Sequence, residues 1–302
     1  MRQHPAIIST ASAENVAVLG TNLGALVDAV SFADRGYSVR LNVTSTEEAD
    51  ALRAGQTAFE EPGLAQQLVA AQTDDGLCFT SSLHRACHAA DVVLLWGNGP
   101  DELAQQLEAV ANEITASERF TLVAIRSLLV PGSMDRWVLP LLERLTGKAC
   151  GEHYGLCYSP ETVRPGVALA DFRNPVRMLI GANDESSADV MASLLRWRVG
   201  SVCVESFATI EAVRMIDLRW QQTKIAFSAE LQALCLSTGV ARRAVINAFT
   251  RDSKQNISGS YLVPGSPVPE VLEPGVQALL TSWQADMEAP LPLKKPSLVT
   301  GG

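Results

Sequence analysis

Short apolar runs alternate with amphipathic stretches along the first two thirds of the chain. The runs fall at residues 16–19, 39–43, 77–80, 91–96, 121–126, 155–158, 177–181 and 201–204, and each is long enough for one strand of a buried sheet. Helical stretches lie between them. One follows the turn at 20–25, runs through Ala33 and stops at Gly36. The next is capped by Thr44-Ser45-Thr46-Glu47-Glu48, reaches about Arg53 and stops at Gly55. Phe59-Glu60-Glu61-Pro62-Gly63-Leu64 leads into a short helix to about Ala71, and Ser81-Ser82 caps another that ends near Ala90. Further helices are predicted over about 101–115, from Pro131-Gly132-Ser133 to about Leu145, and from Ser186 to Trp197. Strands that alternate with helices predict an α/β fold, a doubly wound parallel sheet, to about residue 205.

The pattern then changes. No Gly or Pro occurs from Phe207 to Leu236, and Phe207, Ile210, Val213, Asp217, Trp220, Lys224, Phe227, Leu231 and Leu234 recur at helical spacing. At 1.5 Å per residue this helix is about 45 Å long. So long an apolar stripe needs partners at both ends. A second subunit packed on 206–238 supplies them, as would an internal helical domain. A shorter helix is expected over 241–250, loop over 252–275, and a last helix over 276–287. The resulting organisation is a flexible tail at 1–14, a sheet domain at 15–205, a helical dimerisation domain at 206–288 and a disordered tail at 289–302.

Composition narrows the function classes. Hydrophobic residues make up 47% and charged residues 19%, which suits a substantial core. A net charge of −9 argues against nucleic acid as a general partner. No apolar run is long enough to span a membrane, and the N-terminus lacks a signal-peptide pattern. Six cysteines at 78, 87, 150, 157, 203 and 235 form no C-x-x-C pair, so no metal site is expected. They read as small buried apolar residues in a reducing cytoplasm.

The stretch from Val16 to Val43 carries the first candidate chemistry. A strand, the turn Gly20-Thr21-Asn22-Leu23-Gly24-Ala25, a helix and a second strand form the physical basis of dinucleotide binding. In such a turn the backbone N–H groups at the positive end of the helix receive a pyrophosphate. The candidate cofactor contacts are Gly20, Asn22, Leu23 and Gly24. The second glycine of the usual pattern is Asn22, whose side chain is expected to crowd the approach, and the third is Ala25.

Six stretches in order then carry a resemblance. They are the turn at 16–27, Phe59-Glu60-Glu61-Pro62-Gly63-Leu64, residues 127–133, Tyr158-Ser159-Pro160-Glu161-Thr162-Val163-Arg164-Pro165-Gly166-Val167-Ala168-Leu169, Asp171-Phe172-Arg173-Asn174-Pro175-Val176-Arg177, and residues 209–230. Together they resemble the UDP-glucose/GDP-mannose dehydrogenase family, whose members oxidise a nucleotide-sugar C6 alcohol to a carboxylate in two NAD-dependent steps. The resemblance implies a Rossmann-like N-terminal domain, a long central dimer helix and a third, nucleotide-sugar-binding domain, before which this sequence is expected to stop.

Position by position, the family's chemistry is replaced. The acid that would hold the adenine ribose aligns with Val43, beside Asn42. The thiol nucleophile aligns with Leu272 and the nearby aspartate with Val276. No cysteine follows Cys235, which itself reads as core. The lysine becomes Arg214, which keeps the charge but does not shuttle protons near neutral pH. The asparagine four residues on becomes Leu218, the threonine Leu128, the second acid of the P-E motif Pro165, and an arginine after Asp252 becomes Asn256. Glu161 and Arg164 persist. Each reads equally as a site residue or as a structural loop charge. Turn and packing positions survive: Glu61-Pro62-Gly63-Leu64, Pro131-Gly132, Asp171, Asn174-Pro175 and Gly181. The expectation is a nucleotide-sugar dehydrogenase-like protein of the cytoplasm that is catalytically inactive, with NAD binding weakened or lost. Its role would be binding, regulation or pairing with a paralogue in sugar-nucleotide or polysaccharide metabolism. The alternative is an NAD-dependent oxidoreductase with an altered site.

Overall fold

The computed structural model describes residues 13–73 and 76–252. Eight strands form one sheet: β1 (Asn15–Leu19), β2 (Ser38–Asn42), β3 (Leu77–Thr80), β4 (Val92–Leu95), β5 (Leu122–Ile125), β6 (Gly155–Tyr158), β7 (Arg177–Ala182) and β8 (Ser201–Glu205), in the order β3-β2-β1-β4-β5-β6-β7-β8. The helices are α1 (Leu23–Ala33), α2 (Thr46–Arg53), α3 (Leu64–Ala70), α4 (Leu83–Cys87), α5 (Pro100–Ala116), α6 (Leu139–Thr146), α7 (Ala168–Arg173), α8 (Glu185–Leu195), α9 (Phe207–Thr238) and α10 (Arg242–Phe249). The first six strands have the Rossmann order, and the order reverses between β1 and β4.

Strand side chains feed two cores, one on each face. In β1, Val16 and Val18 join α1, α2, α3, α7 and α8, whereas Ala17 and Leu19 face α4, α5, α6 and the start of α9. This two-sided burial explains why the strands read as short apolar runs. Every pairing is parallel except β6 with β7, which runs antiparallel, so the sheet is not parallel throughout. The connection there carries only the six-residue α7. At about 9 Å that helix does not return the chain to the opposite end of the sheet.

Several boundaries moved for local reasons. α4 ends at Cys87 instead of near Ala90, because Ala89 adopts a left-handed φ of 55°. The helix expected to open at Pro131-Gly132-Ser133 begins as a π turn, Met134–Val138, before α6. Pro140 sits in the first turn of α6 and has no N–H to give to that ladder.

α9 is 32 residues long, about 48 Å. Its first half packs on β6 and β7 through Phe207, Ile210, Glu211, Arg214, Met215 and Leu218. The buried face is therefore rotated from the predicted stripe, since Val213 and Asp217 are half-buried and Trp220 is exposed. Beyond Leu218 the helix leaves the sheet, and α10 folds back on it with Phe227 and Phe249 rings 5.7 Å apart.

The sequence predictions for most of the 1–14 tail, the 276–287 helix, the 289–302 tail and the positions of Asn256, Leu272 and Val276 lie outside the described residues. Among the described residues no helix is long and apolar enough to cross a membrane, and no group of three His, Cys, Asp or Glu is placed to hold a metal ion.

Candidate functional site

The β1–α1 turn stands at the switch point of the sheet, where ligands of such folds bind. Gly20 has φ +122°, and a Cβ there would lie 2.9 Å from the Trp96 carbonyl oxygen, so glycine is required. Asn22 caps α1: its Oδ1 accepts from Ala25 N–H at 3.0 Å. Its Nδ2 donates to the Trp96 carbonyl at 3.2 Å and to Asn98 Oδ1 at 3.1 Å. The side chain expected to crowd a phosphate thus also takes one of the N–H groups the phosphate would use. Leu23 is buried in the core beneath the turn.

Gly24 meets Trp96 instead of a ligand. A Cβ on Gly24 would lie 2.3 Å from the indole Cη2. Trp96 is the first residue beyond β4, and its Nε1 donates to Asp28 Oδ2 at 2.7 Å, one helical turn along α1. Arg126, the first residue beyond β5, makes a bidentate contact with the same carboxylate, both bonds at 3.0 Å. Its Nη1 donates to the Ser159 carbonyl and hydroxyl just past β6, and its Nη2 to Glu161 Oε2 at 3.0 Å. Arg198 closes the chain, donating to Glu161 at 2.8 Å. Trp96, Asp28, Arg126 and Arg198 are all buried. The side chains that leave the carboxyl ends of β4, β5 and β6 therefore pack against α1 and one another. Burial pushes the Asp28 carboxyl above its ordinary value, against the pull of Arg126. Desolvation opposes the Arg126 charge, but Asp28 and Glu161 outweigh it and hold the guanidinium above its usual value.

The remaining predicted positions divide. Glu161, half-buried, joins this network through Arg126 and Arg198. Arg164 pairs bidentately with Asp171 at 2.6 Å on the surface, and Pro165 lies on the same exposed loop. Leu128 is half-buried on the loop after β5. Arg214 is buried on α9 near Tyr158, Asp217 and Glu161, and its Nε and Nη1 have no hydrogen-bond partner among the described residues. Desolvation pushes it below its ordinary value. Leu218 is buried one turn further on.

The surviving motif residues act as joints. The Glu61 carboxylate accepts from Gly166 N–H at 2.8 Å and Leu169 N–H at 3.1 Å, which ties the 59–64 motif to the 158–169 motif. Glu211 accepts from the N–H groups of Gly132 and Met134 and ties α9 to the 127–133 motif. Desolvation raises Cys87 and Cys150 to about 12 and pushes Cys157 well above the ordinary thiol value, which disfavours the thiolate at these three. Cys78 is exposed on β3 and Cys150 and Cys203 are half-buried, so the six are not uniformly core as predicted.

A cavity of about 580 Å³ opens on the other side of Asn22, between the β1–α1 turn and α2. Leu26, Leu52 and Phe59 are among its apolar lining, and Thr21, Asn22, Glu48, Gln56, Thr57 and Asn98 are its polar lining. Val43, at the aligned acid position, is buried, and Asn42 donates to the Thr80 carbonyl along the sheet edge. The carboxylate facing this cavity is Glu48, which the sequence marked only as a helix-cap acid. Thr44 N–H and Oγ1 donate to Glu48 Oε2 at 2.7 and 2.6 Å. Desolvation raises Glu48, but these bonds and one from Thr21 outweigh it and hold the carboxyl below its ordinary value.

Known proteins agree with this architecture. Over 289 residues the chain is 28% identical to a GDP-mannose 6-dehydrogenase of Pseudomonas syringae pv. syringae, covering 91% of this chain and 66% of that protein. A UDP-glucose dehydrogenase structure from Pyrobaculum islandicum matches with TM-score 0.78 and 26% identity, over 94% of this chain and 66% of that one. A ternary complex of GDP-mannose dehydrogenase from Pseudomonas aeruginosa matches in fold, with TM-score 0.75 and 23% identity, over 91% and 65% of the two chains. The chain thus spans about two thirds of the length of these relatives. The model of the NAD binding domain of the UDP-glucose/GDP-mannose dehydrogenase family matches residues 14–197, and the chain belongs to that family.

Proposed function

We propose that this chain is a non-catalytic member of its family, with a binding or regulatory role in cytoplasmic sugar-nucleotide or polysaccharide metabolism. One observation carries the reading. The space beyond β4, β5 and β6, where the reacting half of a dinucleotide would sit, is closed by the buried Trp96–Asp28–Arg126–Glu161–Arg198 network. The replaced positions at Leu128, Arg214 and Leu218, together with the high thiol pKa values, support it.

α9 pairs in this reading with a second copy or a paralogue, since Ile216, Trp220, Leu234 and Leu236 are left uncovered along it. Incubation of the full chain with NAD and UDP-glucose or GDP-mannose tests the catalytic part. No NADH absorbance should develop. Sustained turnover would assign the chain to the alternative, an altered NAD-dependent oxidoreductase.

A further inference from the structure

β8 ends the sheet, paired with β7 on one side and with no strand among the described residues on the other. Such an edge is rarely left bare, because its free N–H and C=O groups template another strand. At the far edge α2 and α4 pack on β3, and Leu77 and Phe79 are buried. β8 differs. Four of the five residues in Ser201-Val202-Cys203-Val204-Glu205 are exposed, Val202 at 41% and Val204 at 48%. The strand holds no proline or lysine to blunt it.

The phase of the backbone decides which groups are free. Ser201 N–H donates to the Val176 carbonyl and so points at β7. Alternate residues of a strand turn their N–H and C=O groups to opposite sides. Ser201, Cys203 and Glu205 therefore bond to β7, and the N–H and C=O groups of Val202 and Val204 face outward.

This edge is complementary to itself. About a two-fold axis at Cys203, the strand runs antiparallel to its own copy, and Val202 falls opposite Val204 of the second copy. Each such pair exchanges both of its backbone bonds. Ser201 falls opposite Glu205, so a hydroxyl meets each carboxylate and no like charges are opposed. Val202 and Val204 lie beside Met178 and Ile180, on the face of the sheet that α8 covers. The valines of two copies would continue that core past the edge.

We propose that β8 is a self-association surface on which two copies join their sheets edge to edge, antiparallel about Cys203. The surface is separate from the exposed part of α9, and the pairing does not depend on whether the chain is catalytic.

At the axis the two Cys203 residues form a non-hydrogen-bonded pair with Cα atoms about 4.5 Å apart, within the range of a disulfide. Oxidation of the full chain with diamide, read on non-reducing gels, should give a covalent dimer in wild type and in Cys78→Ser. Cys203→Ser should not give it. Cys78, exposed on β3, controls for random collision. Val204→Pro removes an outward N–H and leaves the β7 ladder whole. It should cut the cross-linked yield at least tenfold. It should also lower the sedimenting mass at least twofold, in wild type and in the Trp220→Glu chain alike. Val204→Lys keeps every N–H and should weaken association in the same direction, which guards against a misfolded proline variant. Equal cross-linking in Cys203→Ser would overturn the proposal, as would an unchanged mass in folded Val204→Pro and Val204→Lys. A wild-type monomer at micromolar concentration would remove this pairing and that of α9 together. A mass that responds to Trp220→Glu and not to either Val204 variant would remove this one alone.

Discussion

The indole ring of Trp96 occupies the volume that a side chain on Gly24 would need, with Cη2 only 2.3 Å from an ideal Cβ. The glycine therefore serves packing between α1 and the end of β4. Gly24→Val should displace the ring and cost about 1–3 kcal/mol, as overpacking of a filled site does. The shift in urea midpoint measures it. In a double-mutant cycle with Trp96→Ala the two losses should be strongly non-additive, because the clash needs both partners. Additive losses would place the ring elsewhere.

The Asp28–Arg126 pair is the second test. Both side chains are fully buried, and the guanidinium spans Asp28, Ser159 and Glu161. Removing Asp28 takes from the buried guanidinium its bidentate partner and leaves Glu161 as its one counter-charge in this network, so Asp28→Leu should cost about 3 kcal/mol. Asp28→Leu combined with Arg126→Met should recover part of that loss. Denaturant unfolding of the single and double variants distinguishes this from simple loss of packing, in which the second substitution would only add damage.

The layout of the fold was legible because its signals are local. Runs such as Val92-Val93-Leu94-Leu95 are buried on both faces, and Ser45 and Ser82 cap helices as their side chains suggest. The antiparallel entry of β7 was not legible, since it follows from the shortness of α7 in space. Asn22 stood out in the sequence as a departure from the usual turn, but its hydrogen bonds to Trp96 and Asn98 join residues more than seventy positions apart. Asp28 lies within the helix after the glycine turn and Arg126 at the end of a strand run, and neither carries a local sign of the other. Only the fold brings them together, and the lone buried-helix acid was the one signal available. Glu48 was hidden by its ordinary role as a first-turn acid.

Proposed pairing through α9 gives a third expectation. Trp220, on the half of the helix that has left the sheet, is 48% exposed, and Ile216, on the outer side of the packed half, is 61% exposed. If this face is covered by a second copy, Trp220→Glu should place a charge in the contact and halve the sedimenting mass, leaving circular dichroism unchanged. A wild-type chain that sediments as a monomer at micromolar concentration would refute self-pairing.

Glu48 sets a pH dependence. Its folded pKa lies below the ordinary value of 4.5, so the folded state favours the carboxylate more than the unfolded chain does. The stability this supplies is complete above about pH 4.5 and is lost as pH falls through the lower folded value. Glu48→Gln should therefore be less stable than wild type at pH 7, with the gap closing toward pH 3. A gap that persists unchanged at pH 3 would show that the Thr44 contacts do not depend on the charge.

Asn22 offers the most direct separation of cap from ligand site. Its Oδ1 holds the Ala25 N–H, while its Nδ2 reaches the Trp96 carbonyl. Glycine is itself tolerated at a helix N-cap, so Asn22→Gly should lower stability by only a few tenths of a kcal/mol. It frees an N–H at the positive end of α1, so a nucleoside 5′-diphosphate should bind more tightly to it than to wild type. Asn22→Asp keeps the acceptor and adds a negative charge, so it should bind the diphosphate more weakly than wild type. Calorimetric titration of the three proteins with one nucleoside 5′-diphosphate reads both effects. Neither variant should reduce NAD with UDP-glucose or GDP-mannose, because Trp96, Asp28 and Arg126 still close the space beyond β4 and β5. Turnover in Asn22→Gly would mean that the cap alone, and not this buried network, holds the chain inactive.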